Sequence, residues 1–74
     1  MKVVVFIGMF QEEIWEVKAF IGEDAENKAE AAFEQYTEVS YAEFQRRWDT
    51  GDEDSYHILG RELGGTSIEI LEAE

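Results

Sequence analysis

Seventy-four residues allow one small domain, 1–74, in which 18 acids against 6 bases give a net charge of −12. That charge opposes direct binding to DNA, RNA or an anionic membrane, whose affinity rests on Lys and Arg neutralising phosphates. The absence of cysteine removes disulfides, thiolate metal sites and cysteine nucleophiles, while 45% hydrophobic and 14% aromatic content argues against disorder.

Lys2 to Phe10 is almost wholly β-branched or aromatic, which predicts a strand near 2–10 that is buried on both faces. Its apolar run is far shorter than the ~20 residues of a membrane span, and no signal peptide is expected of it. After the polar Gln11-Glu12-Glu13, alternation from Ile14 to Ile21 predicts a second strand near 14–21 and hence a hairpin. The turn carries neither Asn-Gly nor Asp-Gly. Gly22 ends the strand, and Asp24 is a candidate cap for a helix near 24–37, whose Ala25, Ala29, Ala32, Phe33 and Tyr36 share one face. Ser40-Tyr41-Ala42-Glu43 has the form of a capping box, so a second helix is predicted near 41–48, with Tyr41, Phe44 and Trp48 on its inner face.

Further on, Ser55 to Leu63 reads as a third strand near 55–63, Gly64-Gly65 as a type I′ turn, and Thr66 to Leu71 as a fourth strand near 66–72. The expected class is α+β, ββααββ, a four-stranded antiparallel sheet with two helices on one face. Phe33, Tyr36, Phe44, Trp48, Val5 and Val17 are expected to be buried together. The first strand is apolar on both sides, so Phe6, Phe10, Phe20 and Ile14 are expected at or near the face that the helices leave open, as a surface for self-association or a partner.

Candidate chemistry is sparse. Asp49-Thr50-Gly51 matches the triplet of aspartic proteases, but it sits among Arg46, Arg47, Asp52, Glu53 and Asp54, a wet and charged setting that suits a turn. The same acids do not fit a calcium loop: with Asp49 first, Gly51 falls at position three and Gly60 at twelve. His57 is the only histidine, and it reads as a strand residue without a metal or catalytic role. No glycine cluster precedes a helix as a phosphate loop would. No catalytic residue, metal site or cofactor is expected, and the chain is read as non-enzymatic.

The acids themselves carry more information. Glu26, Glu30, Glu34 and Glu38 recur every four residues, about 6 Å per step along a helix. Lys28 is the only base between Glu23 and Glu38, and the like charges repel. A second cluster is Asp52, Glu53 and Asp54. In size, charge and lack of cysteine, the chain resembles the small acidic inhibitors of phages and mobile elements, the anti-restriction DNA mimics and anti-CRISPR proteins. The resemblance implies a cytoplasmic protein (host cytoplasm if phage-encoded). It would occupy the basic surface of a nucleic-acid-handling partner. The charge pattern of the chain itself makes Glu26, Glu30, Glu34, Glu38, Asp52, Glu53 and Asp54 the expected contact residues. The alternative is a structural or regulatory module that homodimerises through an apolar sheet face.

Overall fold

In the computed structural model, which describes residues 2–51 and 53–72, β1 (Lys2–Phe10) is the central strand of a three-stranded sheet ordered β2-β1-β3. Its neighbours β2 (Glu13–Ile21) and β3 (Ser67–Glu72) both run antiparallel to it. The central place suits a strand apolar on both sides: Val4 and Phe6 are buried under the helices, and Val3, Val5 and Ile7 stay half-buried between the side chains of β2 and β3. The hairpin closes with Phe10 opposite Glu13, leaving Gln11 and Glu12 as the loop, at φ 51° and 68°. Two consecutive positive φ values are what a type I′ turn requires, and they cost non-glycine residues roughly 1–2 kcal/mol each. The Gln11 N–H is held by the Glu62 carbonyl at 2.8 Å.

The helices occupy one face only. α1 (Ala25–Thr37) lies on the sheet, and α2 (Tyr41–Thr50) and the short α3 (Ser55–Leu59) pack beyond it. Val4, Ala25 and Ala29 form one buried cluster, the small alanines letting the helix backbone approach β1. Phe6, Ala32, Phe33, Phe44, Ile58 and Leu59 form the other. In it Phe33 meets Phe6, Tyr41 and Phe44 at ring-centroid distances of 6.5, 5.0 and 5.2 Å. Gly8 leaves room for Tyr36: a Cβ there would come within 3.1 Å of its ring. The Tyr36 hydroxyl donates to the Met9 carbonyl at 2.9 Å.

The α+β class holds, but the four-stranded ββααββ reading does not, because the stretch 55–63 is not a strand. Asp54 caps α3 instead, its carboxylate accepting from the His57 N–H at 3.0 Å. Adjacent Ile58 and Leu59 are both buried, which a helix turn permits and strand alternation does not. Gly64 and Gly65 therefore lead from α3 into β3 rather than joining two strands. Only Gly65 has a positive φ, and Gly64 lies against the Tyr56 ring, which a Cβ would strike. The break at Ser40 is as the capping box requires, with the Glu43 N–H donating to Ser40 Oγ at 3.2 Å. Asp24 stands at the start of α1 without a side-chain capping bond.

The expected core also needs correction. Phe33 and Phe44 are buried and Tyr36 packs against them, but Trp48 is 48% exposed and only leans on Phe44. The last turn of α2 borders an open groove with Ser55 and Gly65–Ser67, which leaves the Trp48 ring half in solvent. Val5 is half-buried and Val17 is 58% exposed, both on the opposite side of the sheet.

Candidate functional site

Of the acidic row, Glu26, Glu30 and Glu34 lie along one flank of α1, Glu30 half-buried and Glu34 exposed. Glu26 is half-buried and ion-paired with Lys2. Among the described residues, Glu30 and Glu34 have no ion-pair partner within α1 or across to another element. Glu38 terminates the helix in the left-handed region at φ 63°, its N–H bonding the Glu34 carbonyl at 2.8 Å. That geometry favours glycine. Glu38→Gly is expected to raise stability by about 1 kcal/mol in urea unfolding, an unchanged midpoint being the contrary result.

The second acidic cluster is not a free patch. Asp52 lies outside the described residues. Glu53 receives both Arg47 Nη2 (2.6 Å) and Nε (3.1 Å), a bidentate pair that holds its carboxyl below the usual carboxylate range. Asp54 is held low chiefly by the backbone N–H of His57, and then by its ring, whose Nδ1 lies 2.9 Å away. Glu43 is lowered in the same way by Arg46. The Glu53–Arg47 pair holds the loop before α3 to α2, whereas Glu43 is engaged within α2 and Asp54 within the first turn of α3.

Among the described residues, the motifs weighed from sequence take the following places. Thr50 Oγ1 donates to the Arg46 carbonyl at 2.7 Å and ends α2, so Asp49-Thr50-Gly51 is a helix terminus. His57 is exposed on α3, not in a strand, and faces Asp54. The nearby Ser55 hydroxyl accepts from the Gly65 N–H at 3.0 Å. Among the described residues, no group of three His, Asp or Glu side chains is placed to hold a metal ion. None of their helices is long and apolar enough to cross a membrane.

The uncovered sheet face is the largest feature that the sequence placed wrongly. Phe6 faces the helices and is fully buried, with Phe20 partly buried on the same side. The register instead sets three rows on the open side: Ile21–Val3–Leu71, Ala19–Val5–Glu69 and Val17–Ile7–Ser67. Ile21 and Leu71 are 59% and 54% exposed. Seven of these nine residues are apolar and none is basic. At the hairpin end, exposed Trp15 packs its ring edge-on against Phe10 at 5.4 Å. Apolar surface gathered in this way commonly marks a contact face. The aromatic partners Phe33 and Phe44 could have given the right parity, since Phe6 and Phe20 belong with them.

No family model, curated protein or solved structure matches the chain.

Proposed function

We propose that this is a non-enzymatic acidic binding protein of the cytoplasm. Its α1 outer face occupies a basic nucleic-acid-binding surface on a partner protein, in the manner of the mobile-element inhibitors that it resembles. The observation that supports the reading is the pair Glu30 and Glu34, carboxylates one helical turn apart and without ion-pair partners among the described residues, in a chain of net charge −12. Glu26 and Glu38 flank them, one tied to Lys2 and the other at the helix end. The Asp52-Glu53-Asp54 segment plays a lesser part in this reading, since Arg47 and the α3 cap already engage Glu53 and Asp54.

The test compares the parent with Glu30→Lys/Glu34→Lys as bait for basic proteins. Glu26 is left alone, because a lysine there would face Lys2. The pair swap should leave the fold intact, and it relieves like-charge repulsion. Proteins held by the parent, lost by the variant and released by added duplex DNA or RNA are the expected result. Equal capture by both baits would refute the reading.

A second reading, a module that associates through its sheet face, is favoured by the open rows around Val5 and Ile7.

A further inference from the structure

β2 is an edge strand, and its outer side is unpaired in the sheet. An exposed edge is a template for another strand unless charge, proline or a bulge blunts it. The chain has no proline, and the register shift between Gly8 and Met9 leaves Trp15 as an extra residue of β2, so the edge is bulged at its hairpin end and regular from Glu16 to Ile21. The remaining guard is charge: Glu16 and Lys18 stand on the helix side of the strand, Lys18 Nζ lying 2.9 Å from Glu16 Oε1.

We propose that β2 pairs antiparallel with β2 of a second copy, centred on Val17, joining two sheets into one of six strands. A two-fold axis perpendicular to the sheet keeps each side chain on its own face, so the register must be centred on a residue. Centring on Glu16 sets Glu16 against itself, and centring on Lys18 does the same to the lysine. Centring on Ala19 leaves Lys18 opposite Phe20. Only Val17 brings Glu16 of each copy opposite Lys18 of the other, twice by symmetry. The same register brings bulky Trp15 beside small Ala19, and the regular pairing stops there, because Ile14 and Glu13 lie beyond the extra residue.

The surroundings agree. A shallow groove of about 220 Å³ between α1 and β2 is lined by Glu16, Lys18, Ala32, Gln35 and Tyr36. At 100° per residue, exposed Lys28, Ala31 and Gln35 share the flank of α1 on that side, while Glu30 and Glu34 lie further round the helix. A second copy approaching along β2 thus avoids the acidic row. The other edge is different in kind. β3 carries Glu69 and Glu72 and no base, so no register there gives an opposite-charge pair.

This pairing is independent of the acidic-face reading, because it uses neither Glu30 nor Glu34. Sedimentation of the full chain at micromolar concentration tests it, with circular dichroism confirming the fold of each variant. The parent is expected to be a dimer. Lys18→Glu and Glu16→Lys should each weaken it on the order of tenfold or more, by turning two attractions into repulsions. The double swap Glu16→Lys/Lys18→Glu keeps the net charge and should restore the dimer, which neither single variant nor a general charge effect would do. A monomeric parent, or a dimer indifferent to Lys18→Glu but lost in Leu71→Glu on the open face, would overturn the proposal.

Discussion

Phe33→Ala is expected to unfold the protein at ordinary temperature or come close to it. The side chain is fully buried between Phe6, Tyr41 and Phe44, and it joins the sheet to α2 through α1. Removing it costs the transfer of the ring and leaves a cavity, together roughly 3–5 kcal/mol. A domain of this size has little more than that in reserve. Trp48→Ala is the control: it is as large a truncation, but at a half-exposed ring touching Phe44 from the end of α2. It should stay folded and lose no more than about 1–2 kcal/mol. Chemical unfolding of both variants decides the matter. Equal losses would mean that α2 is as integral to the core as the sheet is.

Thr66→Val should cost roughly 2–3 kcal/mol although the shape of the side chain is kept. Thr66 is buried, and its Oγ1 accepts from the Met9 N–H at 3.0 Å while donating to the Leu63 carbonyl at 2.7 Å. The valine leaves the Met9 N–H without its partner on the β3 side, just past the last β1–β3 pair, Ile7 opposite Ser67. Thr66→Ser keeps the oxygen and should lose distinctly less. Hydrogen exchange at the Met9 amide should quicken in the valine variant and not in the serine one. A valine variant as stable as the parent would mean that another acceptor serves that amide.

What could be read from the sequence follows the strength of local signals. The hairpin strands, α1 and the start of α2 were legible because alternation, helical spacing and the Ser40 cap agree with one another. α3 was not, since five residues hold too little periodicity to separate a helix turn from a strand. Its one clear sign was Asp54 placed three residues before His57. The hairpin turn had no signature because Gln11 and Glu12 adopt positive φ without the residues that prefer it. The open face was assigned to the wrong side because β1 is apolar on both sides, which leaves parity undecided. Of the acidic candidates, their positions on α1 were legible from spacing. The engagement of Glu26 by Lys2 and of Glu53 by Arg47 depends on contacts distant in sequence, which spacing does not encode.

The account turns on the carboxylates of α1, and one titration addresses them most directly. Affinity of the parent and of Glu30→Lys/Glu34→Lys for a captured basic partner would be measured across a series of salt concentrations. The account predicts that parent binding falls steeply as salt rises and that the reversed pair loses binding even at low salt. Affinity that ignores salt and survives the reversal, yet disappears when Leu71 on the open sheet face becomes glutamate, would contradict it.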